Sequence, residues 1–456
     1  MNRPLPVTPY VKGLGSLILI AGMFSAVSAQ TPLTLADAIR QVRGSSDETQ
    51  LIRETSVKLD AQKSELWAGA LPNISAYANA GRGTSPFNLG SFPPLGPDSV
   101  AMPSVYKGPA QNQFSYGVQG SQTLFSFALG RSINTAGKLV RSQNATNRRS
   151  LQELELSTLD AFYGVVIAES NLRVIQASLD RQSKTFGFLE SNFRRGAGSR
   201  STLLLTQASL KGLEPQRIRA ERDAEAARMA FNRLLGRPID AELQLDTNSV
   251  TEIERADVSG AALNTAVDQR PDLEALRYQK EALQGYASVY RGQYLPSVGV
   301  NGKVGILAFE ANEQLTDFDN NLEWQVGIGL TWPLFDGLGN SAKARQYDSD
   351  ARSVSINERR ARNSALIEIE SAKREVAAAD SGLSAAQQAR NASDEALELI
   401  SQDFRAGSGN VTDLLSAEEG LRAAESGLLA ARNQKARAKA ALRVALGMNL
   451  TEGESK

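Results

Sequence analysis

The sequence has no cysteine and no histidine. That excludes disulfides, thiolate and imidazole metal sites, nucleophilic catalysis by either residue, and cysteine lipidation. Neither sign of charge is in excess: lysine plus arginine and aspartate plus glutamate count 50 each, so nothing points to a nucleic acid held by bulk charge. Aromatic residues are only 6% of the 456, in a chain rich in Ala, Leu, Gln, Ser, Arg and Glu, a helix-rich composition that fits one long object. Long apolar runs are almost missing. The one from Leu14 to Val27 follows Arg3 and Lys12 and leads into Val27-Ser28-Ala29 before Gln30, the pattern of a secretory signal cleaved after Ala29. It is shorter than the roughly 20 residues a spanning helix needs. Entry of this chain into a membrane therefore has to be by strands.

Four segments alternate with the period of a strand. The strongest is 322–335, where Leu322, Trp324, Val326, Ile328, Leu330 and Trp332 share one side and Glu323, Gln325, Gly327, Gly329 and Thr331 the other. An apolar side that starts and ends in Trp fits a strand crossing both boundaries of a bilayer, and the other side suits water. Segments 73–83 (Ile74, Ala76, Ala78, Ala80), 113–125 (Phe114, Tyr116, Val118, Leu124 against Ser115, Gly117, Gln119, Ser121, Thr123) and 297–306 (Val298, Val300, Val304, Ile306) alternate likewise. A stretch rich in Gly, Pro and Ser from about 84 to 111 reads as a long exposed loop.

Helical periodicity fills the rest. One helix is expected from Thr34, as N-cap, to about Gly69, stopped by Leu71-Pro72. A second starts after Phe125 and continues to about Phe193, roughly 95 Å at 1.5 Å per residue. Its distal part carries Leu172, Ile175, Leu179, Phe186, Leu189 and Phe193 in a three-four alternation with Gln182 as its polar member, a coiled-coil seam. The chain turns at Arg195-Gly196-Ala197-Gly198 and returns from about Ser201 to Leu235, with a kink expected at Pro215 and a mixed polar connector at 238–259. From about Gly260 the order repeats. Another helix precedes Leu295-Pro296, Phe335 follows Phe125 by 210 residues, FRRGAG (193–198) and FRAGSG (404–409) are 211 apart, and so are Leu235-Gly236 and Leu446-Gly447. The expected division is a signal over 1–29, a first repeat over 30–259 and a second over 260–456.

Strands of about 10 residues are long enough to cross a bilayer. Four of them cannot close a barrel, and an open edge is not tolerated in lipid, so the barrel has to be shared between chains. Two chains would give eight strands and a filled interior. Three would give twelve and an aqueous lumen, which the small and polar residues Gly117, Gln119, Ser121, Asn301, Lys303, Gln325 and Thr331 favour. The expected fold class is an α+β membrane protein, with long coiled-coil α-helical hairpins, four transmembrane β-strands per chain, a 12-stranded barrel shared in a trimer, and an internal two-fold repeat.

Over essentially its whole mature length the chain resembles the TolC-type outer membrane efflux protein family. The resemblance rests on the two-fold repeat, Leu-Pro before a strand in each half, the Leu-Phe pairs at 124–125 and 334–335, the two glycine-rich tips, and Arg270-Pro271-Asp272-Leu273 opening the second repeat. It implies a homotrimer with its barrel in the outer membrane and a helical barrel crossing the periplasm. The implied role is exit duct for inner-membrane pumps or secretion transporters, joined through a periplasmic adaptor, with no cofactor.

A duct needs no nucleophile or base, and acids such as Asp380 and Glu418-Glu419 read as helix-surface charges. The resemblance points instead to the periplasmic entrance. Asp413, six residues after Gly407, stands where some family members carry an aspartate that narrows the opening; read from the residues alone it is equally a solvated acid at a helix N-terminus. Thr202 is its first-half counterpart. The family's link from an acid there to a tyrosine and an arginine is not matched, since the positions are Phe404 and Gly409, while Arg194, Arg195, Arg200 and Arg405 are candidates for another latch. The tips around Arg195, Gly196, Gly198, Gly407 and Gly409 are expected to dock on the adaptor. The rival reading is a periplasmic coiled-coil adaptor or scaffold without a pore, which accounts for the hairpins but not for four alternating strands. A secreted enzyme lacks any convergent catalytic set.

Overall fold

The computed structural model describes residues 32–83, 86–87, 106–107, 110–246, 261–308 and 318–450. The expected signal, most of the loop after the first strand and much of the connector lie outside them. The first half runs α1 (Leu35–Ser45), α2 (Asp47–Ala68), β1 (Asn73–Gly83), β2 (Pro86–Phe87), β3 (Tyr106–Lys107), β4 (Gln111–Phe125), α3 (Phe127–Arg194) and α4 (Arg200–Leu234). The second runs α5 (Ala261–Asp268), α6 (Pro271–Gly292), β5 (Ser297–Ala308), α7 (Phe318–Asn321), β6 (Leu322–Thr331), α8 (Gly339–Ala406) and α9 (Val411–Ala445). The long helices α3 and α8 have 68 residues each and their return helices α4 and α9 have 35 each, so the duplication legible in the sequence is a duplication of shape. At 1.5 Å per residue each long arm is about 100 Å.

The opening helix is two helices rather than one. Thr34 caps α1 as expected, accepting from the Asp37 amide. The chain then breaks at Ser46, whose extended backbone lets its hydroxyl accept from the Thr49 amide at 3.2 Å while Thr49 Oγ1 bonds back to the Val42 carbonyl. A serine cap satisfies donors that a continuous helix would have used internally, and Gly44-Ser45 offers little helix preference against it. The helix before Leu295-Pro296 also divides, at Arg270, without a side-chain cap but with Pro271 preset for a first helical turn. Pro215 does not interrupt α4.

Each half buries its short N-terminal helix against the middle of its own hairpin. In the first, Leu35, Ile39 and Val42 of α1 pack with Leu159, Phe162 and Phe231, the Phe162 ring meeting Phe231 edge-on at 6.0 Å. Each such fully buried side chain contributes about 1.5–3 kcal/mol. In the second, Val267 and Leu273 pack with Ala365, Ile369 and Val376 of α8 and Leu442 of α9. Arg270, buried between these helices, donates to the Ala445 carbonyl at 2.7 Å and pairs with Asp272 and Glu368, both at 2.8 Å. The Arg-Pro-Asp-Leu motif thus satisfies the open carbonyl end of α9.

Strands β1, β4, β5 and β6 form one antiparallel sheet in that order, with β4 to β5 as the seam between the two halves. The short β2 and β3 pair separately, a ribbon that alternation over two residues could not announce. Among the described residues no helix is long and apolar enough to cross a membrane.

Candidate functional site

Register decides which residues share a face of the sheet. Ser75, Gln119, Lys303 and Gln325 stand opposite one another in a row across all four strands, and Asn73, Ser121, Asn301 and Gly327 form the next. Thr331 lies on this polar face opposite Ser297. Every residue expected to line the lumen is therefore on one side. Lys303 pairs diagonally with Glu323 at 3.3 Å, leaving that part of the face close to neutral. Beside them Gly117 and Gly305 are directly opposed: a methyl on Gly117 would collide with the Val304 carbonyl, and the Tyr77 hydroxyl lies 2.8 Å from where a Cβ of Gly305 would stand. Tyr77 thus lies close over the glycines of the wall.

The other side carries the row Ala76, Val118, Val304, Trp324, then Ile74, Gly120, Gly302, Val326, with Val300 opposite Ile328 and Val298 opposite Leu330. Trp324, Val326, Ile328 and Leu330 are each 66–75% exposed, a contiguous apolar patch far too regular for a free surface in water. Its polar members lie at the strand ends: Gln122 donates to the Ala70 carbonyl, and Arg82 stands opposite Asn112 at the other end. Trp332 departs from expectation, lying just past the end of β6 before Pro333 rather than within the strand. Its indole nitrogen donates to the Tyr294 carbonyl at 3.0 Å, and Tyr294 in turn bonds Asp336, whose carboxylate accepts from the Leu338 and Asn340 amides at the start of α8.

At the other end, both hairpins turn through the same structure. Gly196 and Gly407 have positive φ (76° and 83°), and the following amides bond back five residues, Ala197 to Asn192 and Ser408 to Asp403. Two residues on, Gly198 and Gly409 press on the backbone of Phe193 and Phe404; a Cβ on Gly409 would stand 2.7 Å from the Phe404 nitrogen. These contacts are the physical content of the FRRGAG and FRAGSG repeat. Asp413 lies exposed in the first turn of α9, with Asn410 capping, and Thr202 half-buried in the first turn of α4. Phe404 meets the Phe188 ring edge-on at 6.4 Å, a contact between the two hairpins. The candidate latch arginines bond locally: Arg194 to Glu190 and Arg195 to Asn192, while Arg200 and Arg405 are exposed.

A further expectation is overturned. Asp380 is a helix-surface charge, paired with Lys435, but Glu418 is not: it is 3% exposed, packed against α3 near Arg181, Gln182 and Thr185. Gln182, the polar member of the α3 seam, is buried too and accepts from Ser209 of α4 at 3.1 Å. Heptad spacing, read along α9 as well as α3, would have marked Glu418 as a seam position. Among the described residues no group of side chains is arranged to hold a metal.

Residues 36–237 and 262–448 match the sequence pattern of the outer membrane efflux protein family. Over 202 residues the chain is 27% identical to the alkaline protease secretion protein AprF of Pseudomonas aeruginosa, taking in 44% of this chain and 41% of that one. Over 235 residues it is 23% identical to the outer membrane protein TolC of Vibrio cholerae, 51% of this chain and 54% of the relative. The matched part thus spans about half the length of these curated relatives. In fold, the open state of the Neisseria gonorrhoeae MtrE outer membrane channel is similar with a TM-score of 0.72 at 21% identity, over 92% of this chain and 91% of that one. With one family pattern matched twice, once in each half, the chain belongs to the outer membrane efflux protein family.

Proposed function

We propose that three copies of this chain close a 12-stranded barrel in the outer membrane and extend their hairpins through the periplasm, as the exit duct of a tripartite efflux pump or a type I secretion system. The observation that carries this reading is the sheet: one face apolar and exposed, the other polar, with β1 and β6 both left as open edges. Because the four strands alternate in direction, β6 of one copy continues the antiparallel ladder onto β1 of the next. Closure removes the edges that lipid forbids, and twelve strands leave a lumen lined by Gln119, Ser121, Asn301, Lys303, Gln325 and Thr331. Trp324, Val326, Ile328 and Leu330 then face lipid, with Trp332 at the periplasmic boundary. Residues 1–29 are the export signal, and 30–259 and 260–456 the two repeats.

In this assembly a periplasmic adaptor docks on the tips around Arg195, Gly196, Gly198, Gly407 and Gly409 and joins the duct to an inner-membrane transporter. Small molecules and unfolded proteins are both suitable cargo for a generic wet lumen. The alternative, a pore-free periplasmic scaffold, leaves the apolar sheet face without a partner.

The deciding experiment is the oligomeric mass of the chain from Gln30 onward, extracted in detergent from outer membranes. Three chains, with migration on gels that changes on heating, is the expected result; a soluble periplasmic monomer would sink the duct. If Asp413 forms a threefold ring at the periplasmic entrance, Asp413→Asn should lower cation preference several-fold in planar bilayers. Unchanged currents would leave Asp413 as a helix N-terminal acid only.

A further inference from the structure

On the side of α3 where α1 packs, a cleft of about 870 Å³ opens between α2, α3 and α6. Arg141 and Arg148 line it from α3, and the seven-residue step between them leads on to Glu155, which pairs with Arg43 of α1, and to Phe162, which packs with α1. Arg53 lines it from α2 and donates to the Arg43 carbonyl. A short helix lying in the lumen would plug a duct, so this side of the hairpin wall faces outward. Arg53 stands about 22 Å along α2 from the end that leads into the sheet, well below the headgroup layer of a bilayer.

The cleft carries more positive charge than it balances. Arg148 pairs with Glu274, but among the described residues no acid pairs with Arg53 or Arg141. Arg141 instead lies beside the Tyr278 ring, 5.9 Å from its centroid. The duplication shows that packing does not force this imbalance. The 211-residue register of the long helices places Glu358 at the position of Asn147. The 224-residue spacing of the two Leu-Pro pairs likewise places Arg277 and Lys280 at those of Arg53 and Ser56. In the second half Glu358 pairs with both cations, at 3.0 and 2.9 Å. In the first half the same contact is made, Asn147 donating to Ser56 at 2.7 Å, but an amide stands in place of the carboxylate. Arg53 keeps the charge of its counterpart without the counterion.

Resting on the duct reading, which places this wall in the periplasm, we propose that the cleft binds the carboxylate-bearing peptide stems of the cell-wall glycan and anchors the duct where it crosses that layer. A stem carboxylate supplies from outside the charge that Glu358 supplies within the second half. Arg53 and Arg141 are exposed and present forked donors that suit a carboxylate, and the exposed Asn144 amide lines the same cleft. Ile52, Val57 and Leu151 give it apolar surface for the methyl groups of alanine-containing stems. Anionic lipid has the same charge but lies too far away. In a trimer three such clefts stand at one height around the duct, so a repeating polymer engages several at once and gains avidity from contacts that are weak singly.

The test is cosedimentation of detergent-extracted trimers with purified peptidoglycan sacculi stripped of bound protein. Wild-type trimers should pellet with the sacculi and be released by high salt. Arg53→Ala combined with Arg141→Ala should weaken binding by about tenfold or more, since charge-assisted hydrogen bonds are lost at each cleft. Asn147→Glu, which gives Arg53 the internal partner found in the second half, should weaken it without removing a cation. Arg222→Ala combined with Arg374→Ala removes equal charge from exposed positions on α4 and α8 and should pellet like the wild type. Wild-type trimers that stay in the supernatant, a cleft variant that pellets like the wild type, or a control that falls as far as the cleft variants overturns the proposal while leaving the duct intact. Wild-type protein that forms no trimers would instead overturn the duct reading itself.

Discussion

Replacing Arg270 by alanine should destabilise the protein by about 1–3 kcal/mol, the usual cost of leaving a buried hydrogen-bond acceptor without its partner. Arg270 is 2% exposed, and its guanidinium engages Asp272 through Nε and Nη2, Glu368 through Nη1, and the Ala445 carbonyl. Alanine leaves that carbonyl and the Asp272 carboxylate facing a void in the core that joins α6, α8 and α9. Lysine keeps the charge but has no planar fork, and should recover only part of the loss. Thermal unfolding followed by circular dichroism on the detergent-extracted protein measures this; a loss below about 1 kcal/mol would mean the cluster is not what closes the end of α9.

The same cluster has a pH signature. Burial alone would raise the Asp272 carboxyl, but the hydrogen bonds and charge of Arg270 outweigh it and hold the pKa below the ordinary aspartate value. Since the folded pKa is the depressed one, this stabilisation is fully present above the ordinary value and is lost as pH falls through the lowered one. Acidification should therefore narrow the stability gap between the wild type and Arg270→Ala.

The second large effect is expected in the barrel. Arginine at Ile328, in the middle of the apolar face of β6, should cost about 2–4 kcal/mol per chain if that face meets lipid near the midplane. A threefold assembly carries the cost three times, so trimers in the outer membrane should fall sharply. Gln325→Arg, three residues away on the polar face, serves as the control and should assemble normally. Outer-membrane fractionation with unheated gels reads both variants. Normal assembly of Ile328→Arg would show that the two faces have been assigned the wrong way round.

Much of this architecture is legible in the sequence. The alternation of Trp324, Val326, Ile328 and Leu330 is a property of ten adjacent residues, and the tips are marked by glycines that only a particular turn requires. The structure departs from expectation where a local cap competes with helical periodicity, where the deciding partner is remote, or where the signal is too short. Nothing in 34–69 outweighs its helical periodicity, yet Ser46 breaks it because a local cap competes with the ladder. The pair β2 and β3 is two residues wide and has no period to detect.

The sequence by itself determined the periodic elements, the duplication with its 211-residue register, the glycine tips and the two chemically distinct sides of each strand, because those depend on spacing along one short segment. Only the tertiary structure decided that Gln119, Lys303 and Gln325 form one row, that Arg270 closes the end of α9, and that Glu418 is buried while Gln207, its counterpart in the other repeat, is exposed. Register and burial depend on which remote surface arrives opposite. An acid on a helix has the same local spacing whether water or a second hairpin covers it, and only packing of segments hundreds of residues apart makes the difference.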